Sequence, residues 1–190
     1  HPLWLWNGFG AQSPPFVRRI MDRCDALLAI GCRFAEVATG SYGLRPPERL
    51  IHVDIDPEVF HRNFPAALAI PADATLFVEA LLERLPGPRP WRRLATAIAE
   101  GHLDLVERRR RRASVDRVSP AALFEALERH ARPDAVYSVD SGNGLFLAME
   151  HLRLDSPGRF IGPVDYSCMG YSVPAAIGAA FATPGREVIA

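Results

Sequence analysis

The chain has 190 residues, 48% hydrophobic and 23% charged, with 22 basic against 22 acidic side chains. This is the makeup of a globular protein with one sizeable core or two small ones, and zero formal charge removes the global electrostatic case for nucleic acid or an acidic membrane. No apolar run approaches the roughly 20 residues that span a bilayer. Three scattered cysteines, Cys24, Cys32 and Cys168, form no Cys-x-x-Cys pair. That spacing argues against a disulfide framework or zinc site and makes reducing cytoplasm the expected compartment.

The opening HPLWLWNGFGAQSPP reads as an aromatic loop whose proline pair leads into a helix over FVRRIMDRCD, residues 16–25. ALLAIG, 26–31, is a short apolar run ending in glycine, the mark of a buried parallel strand. After the Gly/Ser-rich loop TGSYGLRPPE, RLIHVDIDP (49–57) supplies a second strand, in which His52 is expected to be structural. AALAIPAD (66–73) supplies a third, and ATLFVEALLERL (74–85) an amphipathic helix. Strands alternating with helices predict a parallel α/β architecture.

PGPRP at 86–90 is the clearest linker. Residues 91–113 then read as one helix ending in the run Arg108–Arg112, a basic stretch suited to a solvated helix C-terminus. SPAALFEALERH (119–130) opens with Ser119 as N-cap and Pro120 at the first helical position. AVYSVD (135–140) is a strand, SGNG (141–144) a glycine-rich turn, LFLAMEHL (145–152) a helix and RFIG (159–162) a short strand. In the closing stretch Ser172 is expected to cap a helix of small residues, with Pro174 in its first turn, before a strand at REVIA, 186–190.

Three constellations carry candidate chemistry. Gly31-Cys32-Arg33-Phe34, Asp54-Ile55 and Asp73-Ala74 stand at the carboxyl ends of three predicted parallel strands. Open α/β sheets bind ligands there, and an acidic residue at a strand end can accept hydrogen bonds from ribose hydroxyls. The plainer reading is that Asp54 and Asp73 merely cap the helices after them. The second is Asp140-Ser141-Gly142-Asn143-Gly144, where glycines between strand and helix let backbone amides approach a diphosphate; the plainer reading, favoured by these residues alone, is a tight turn with an Asn or Ser cap. The third is the loop around Met169-Gly170 with the small-residue helix behind it, suited to close packing against a backbone or a flat ligand. No G-x-G-x-x-G, P-loop, G-x-S-x-G elbow or H-x-x-x-H pair is present.

The order of these motifs resembles the thiamine-diphosphate-dependent enzymes, most closely their acetolactate synthase-like branch. ALLAIGCRF…TG, LIHVDIDPEVF, PADATLFVEALL, SVDSGN and CMGYSVPAAIGAAFATPGREVIA occur in that family's order, and the last block is the most specific. The resemblance implies two incomplete Rossmann-like three-layer α/β units joined by a Pro-rich linker and a helix. Residues 1–85 correspond to the later part of the middle domain, 86–118 to linker and helix, and 119–190 to the first part of the diphosphate-binding domain.

Carried over residue by residue, the resemblance puts Gly142 and Asn143 at the turn that approaches the diphosphate. It puts the Ser167 carbonyl and the Met169 amide, beside Gly170, at the aminopyrimidine, with the Met169 side chain wedged between the cofactor's two rings. Gly31, Cys32, Arg33, Phe34, Asp54, Ile55, Asp73 and Ala74 become neighbours of FAD or another adenine nucleotide. Two departures bear on this: Ala35 and Glu36 stand where the synthases have two aspartates, and Asn143-Gly144-Leu145 replaces Gln-His-Gln. Other members of the family keep this domain without a flavin. The implied protein is a magnesium-dependent decarboxylase or carboligase of 2-oxo acids, a homodimer or homotetramer when intact. Its activating glutamate and its magnesium ligands lie outside these residues, so the chain reads as an internal piece that is inactive alone. The competing reading is a non-catalytic nucleotide-binding or regulatory module built on the first constellation.

Overall fold

The computed structural model describes every residue except 11–12, 88–89, 112–115 and 165. The chain forms two compact units, His1–Asp104 and Leu105–Ala190. In the first, α1 (Pro15–Met21) leads into a parallel sheet of β1 (Ala26–Ile30), β2 (Arg49–Asp54) and β3 (Leu68–Pro71), in that order, followed by α2 (Ala74–Leu82). Helix α1 is shorter than the predicted 16–25. Its last bond runs from Asp22 N to Arg18 O, and a turn from Cys24 N to Met21 O then reverses the chain toward β1. Aspartates at 22 and 25 favour such local turns over continued helix. Strand β3 is likewise trimmed from 66–73, and α2 stops at Leu82 with Glu83 as its C-cap.

The sheet registers Leu28 against Ile51 and Val53 against Ile70. Leu50 and Val53 are fully buried, and Ala29, Phe34 and Leu44 complete the core with Leu50. Buried His52 is structural, as its place in the strand implies. Its Nε2 lies 2.8 Å from the Cys32 carbonyl oxygen, and Phe34 and Phe60 each meet its ring edge to face at 5.1 Å.

Helix α3 (Arg92–Arg111) realises the predicted 91–113 helix, whose last two residues lie outside the described residues together with Pro88 and Arg89 of the predicted linker. Its first half packs in the first unit. Ile98 is buried, and Gly101 sits directly against the Phe16 ring. The aromatic opening stretch is anchored here as well, because His102 stacks on Trp4 at 5.2 Å and meets Phe16 edge-on at 5.1 Å. Of the basic run Arg108–Arg112, Arg111 pairs with Glu107 one turn back at 3.7 Å.

The second unit contains α4 (Pro120–His130), β4 (Val136–Ser138), α5 (Asn143–His151), β5 (Phe160–Ile161), α6 (Ser172–Ala182) and β6 (Val188–Ile189). Ser119 caps α4 by accepting from the Ala122 amide, as predicted. The three strands are parallel in the order β5-β4-β6. Phe124, Ala135, Tyr137, Ala148 and Leu152 form the core between sheet and helices. Helix α5 begins two residues before the expected Leu145, because Gly142 ends the turn and serves as N-cap. Among the described residues no helix is long and apolar enough to cross a membrane. Both units are therefore parallel sheets flanked by helices, the α/β class the sequence implies.

Candidate cofactor site

Strand β4 ends at Ser138, and the chain turns through Asp140 to Gly142 before α5 begins. Gly142 has φ 103° and ψ −164°, a region essentially reserved for glycine. A Cβ placed there would meet nothing within 4 Å, so the backbone and not crowding demands glycine, and the turn's outer side is open. No side chain caps α5. A helix N-terminus in that condition carries partial positive charge and unsatisfied amides, which suit an anion.

Facing this turn within the same unit is a tight arch over residues 167–170. Ser167 (φ 48°) and Gly170 (φ 81°) both take left-handed backbone angles, and Ser167 N donates to Pro163 O at 2.9 Å. A left-handed serine costs about 1–2 kcal/mol, which the surrounding bonds must offset. Met169 stands at the crest, 91% exposed, and Cys168 beside it is also exposed.

The expectation that Ser172 caps α6 is corrected. Tyr171 is the N-cap residue and makes no side-chain capping bond, while Ser172 is the first helical residue. Its amide donates to Asp140 Oδ2 at 3.0 Å and its hydroxyl to the same oxygen at 3.1 Å. Asp140 Oδ1 accepts from Gly170 N at 3.0 Å and from Ser141 N at 2.9 Å. The acceptor that a local cap would supply thus comes from the end of β4. Buried Ser138, two residues earlier, donates its hydroxyl to the Ser172 carbonyl at 2.8 Å. With four donors around it, led by the Ser172 amide, the Asp140 carboxyl is held below its ordinary pKa.

In the first unit the other candidate residues line the carboxyl edge of the sheet. Gly31 (φ 60°) donates its amide to Val53 O at 2.9 Å, and Ala72 N donates to Asp54 O at 3.0 Å, which ties the three strand ends together. Asn63 Nδ2 donates to the carbonyls of Arg33 and Phe34, each at 3.2 Å. Phe34 is buried against His52 and Phe64, supporting the loop from beneath. Asp54 accepts from Asp56 N at 3.0 Å, and Asp73 caps α2 through the amides of Thr75 and Leu76. Ile55 and Ala74 are exposed along this edge, as is Arg33. Both aspartates therefore have local structural bonds, and the loops of three strands still open on one rim.

The family model of the thiamine pyrophosphate enzyme central domain matches residues 1–81, and that of the thiamine pyrophosphate enzyme C-terminal TPP-binding domain matches residues 140–190. The chain belongs to the thiamine pyrophosphate enzymes. It is similar to the acetolactate synthase large subunit of Parasynechococcus marenigrum, 30% identical over 95% of this chain and 29% of the relative. It is also similar to acetolactate synthase of Mycobacterium bovis, 30% identical over 88% of this chain and 28% of the relative. With the acetolactate synthase isozyme 2 large subunit of Escherichia coli it shares 28% identity over 100% of this chain and 33% of the relative. The chain thus spans about a third or less of these relatives' length.

For a thiamine pyrophosphate enzyme, the second unit offers fitting chemistry: an uncapped helix start behind a glycine-only turn for the diphosphate, and a held arch with an exposed methionine for the rings. Among the described residues no group of three or more His, Cys, Asp or Glu could hold a metal ion. Sequence reasoning singled out Asp140 only as part of a glycine turn. Its role as the anchor of the arch depends on a contact 32 residues away in sequence, and the one local signal was an acidic residue at a strand's end.

Proposed function

We propose that these residues work in a thiamine-diphosphate- and magnesium-dependent enzyme of the acetolactate synthase-like branch, which decarboxylates 2-oxo acids or joins them to an acceptor. The observation that carries this reading is the arch of Ser167, Met169 and Gly170, braced opposite the glycine turn of α5. In this reading Gly142 and Asn143 receive the diphosphate, while the Ser167 carbonyl and the Met169 amide receive the aminopyrimidine. Bound thiamine diphosphate supplies the electron sink that a 2-oxo acid needs to lose carbon dioxide. The chain's own contribution would be orientation: the Met169 side chain would wedge between the two rings and hold the amino group of one near the C2 proton of the other. The magnesium ligands belong to other residues, and the 190 residues alone are inactive.

The rim of the first unit, with Gly31, Cys32, Arg33, Phe34, Asp54, Ile55, Asp73 and Ala74, is proposed to hold FAD or another adenine nucleotide. Three adjacent parallel strands whose carboxyl ends open on one edge support this. The intact enzyme is proposed to be a cytoplasmic homodimer or homotetramer.

Calorimetric titration of the intact enzyme with magnesium and thiamine diphosphate, FAD or ADP tests this reading, alongside carbon dioxide release from pyruvate. Saturable thiamine diphosphate binding, required for carbon dioxide release, is the expected result. Tight adenine-nucleotide binding with no thiamine diphosphate binding would favour a non-catalytic nucleotide module instead.

A further inference from the structure

One carboxylate joins the two segments that face each other in the second unit. Asp140 Oδ1 is shared between Ser141 N at 2.9 Å, in the glycine turn, and Gly170 N at 3.0 Å, at the foot of the arch. Oδ2 takes both the amide and the hydroxyl of Ser172, at 3.0 and 3.1 Å. Ser138 then grips the carbonyl of the same Ser172 at 2.8 Å. The start of α6 is thereby held through its amide, its hydroxyl and its carbonyl by two residues of a single strand end. Between the fixed Gly170 amide and the Ser167 amide, itself bonded to Pro163 O, only Cys168 and Met169 remain in the arch.

From this geometry we infer that Asp140 is a positioning residue for the cofactor: it sets the spacing between the diphosphate turn at Gly142 and the ring-holding arch at Met169. The inference rests on the proposed thiamine diphosphate function. Bonds from amides to an ionised carboxylate are shorter and stronger than neutral ones, so a single side chain suffices to tie both segments. A ligand that touches only the turn senses this carboxylate through the Ser141 bond alone and is indifferent to the spacing from the arch. A ligand that spans turn and arch must find both at the right separation, and a misplacement on the order of 1 Å is costly there. No neutral side chain reproduces the arrangement. Asparagine keeps the shape but turns one acceptor into a donor, which meets the Ser172 amide in one orientation and the Gly170 and Ser141 amides in the other.

The test compares wild type with Asp140→Asn in the intact enzyme by two measurements. The first is amide hydrogen exchange without cofactor. Ser172 or Gly170, whichever amide meets the asparagine NH2 group, is expected to exchange at least about tenfold faster in the variant, with Val136 and Tyr137 of β4 unchanged as the sign that the unit stays folded. Unchanged exchange at Gly170 and Ser172 would overturn the tie. The second is binding of magnesium thiamine diphosphate against magnesium pyrophosphate, which reaches only the turn. The variant is expected to lose at least about tenfold affinity for thiamine diphosphate and less than about threefold for pyrophosphate. Equal losses for the two, or none, would overturn the positioning role. If wild type binds pyrophosphate but no thiamine diphosphate, the proposed function fails, and the exchange result still decides whether Asp140 ties the segments. Should Asp140→Asn not fold, Ser172→Ala serves in its place: it removes only the hydroxyl bond, and a smaller shift in the same direction is required.

Discussion

Asp140, two residues past the end of β4, takes the backbone amide of Ser172 at 3.0 Å, so the first turn of α6 is held from the turn after a strand and not by a cap of its own. This bond is the largest of the influences that lower the Asp140 pKa, ahead of the opposing effect of desolvation and the further bonds from Gly170, the Ser172 hydroxyl and Ser141. A carboxyl whose folded pKa lies below its unfolded value binds its proton less readily when folded. Its contribution to stability is therefore complete above the unfolded value, near 3.8, and is lost as pH falls through the folded one. The denaturant midpoint of wild type should exceed that of Asp140→Asn by a constant margin at neutral pH. That margin should shrink only below the ordinary aspartate range, and a margin that grows on acidification contradicts the assignment.

Gly101 gives a prediction in which two effects oppose each other. Alanine favours a helix over glycine by about 1 kcal/mol. A Cβ at 101, however, would come within 2.2 Å of the Phe16 ring, whose Cγ and Cε2 also stand under 3 Å away. Overpacking of this kind costs about 1–3 kcal/mol, so Gly101→Ala should be net destabilising by about 1 kcal/mol. In a Phe16→Ala background the ring is gone and the same change should turn stabilising. Chemical denaturation of the four proteins in this cycle reads the sign directly.

Gly142 separates backbone strain from crowding. Nothing lies within 4 Å of a Cβ there, yet φ is 103°. Gly142→Ala should therefore lose about 1–3 kcal/mol in thermal or chemical unfolding, all of it from the backbone. A neutral result would mean that the turn relaxes to another conformation, and pyrophosphate binding at α5 should then weaken.

Much of the fold was legible because its signals are local. Short apolar runs ending in glycine or aspartate marked β1 and β2, and Ser119-Pro120 marked the start of α4 within a residue. Boundaries failed where a turn had to be formed against a continuing pattern, as at Asp22 after α1 and at Leu82 after α2. The opening aromatic stretch is the loop it reads as, but its anchoring on His102, about a hundred residues away, leaves no periodicity in the sequence. The same limit explains Ser172. Its type and place before Pro174 signal a cap, but Asp140 competes for its hydroxyl and amide from a distant strand. The glycines and Met169 of the candidate site were visible as motif members, whereas the tie between their two segments exists only in three dimensions.

In the proposed function Met169 orients a cofactor held by its neighbours, and replacing it in the intact enzyme tests that role most directly. Because Met169 is 91% exposed, Met169→Ala should change stability by less than about 0.5 kcal/mol, so any loss of function is not a loss of fold. Turnover of a 2-oxo acid is expected to fall about 10- to 100-fold, while the dissociation constant for magnesium thiamine diphosphate moves less than about threefold, since uniform binding is little affected. Equal turnover in variant and wild type, or a loss confined to cofactor affinity, would contradict it.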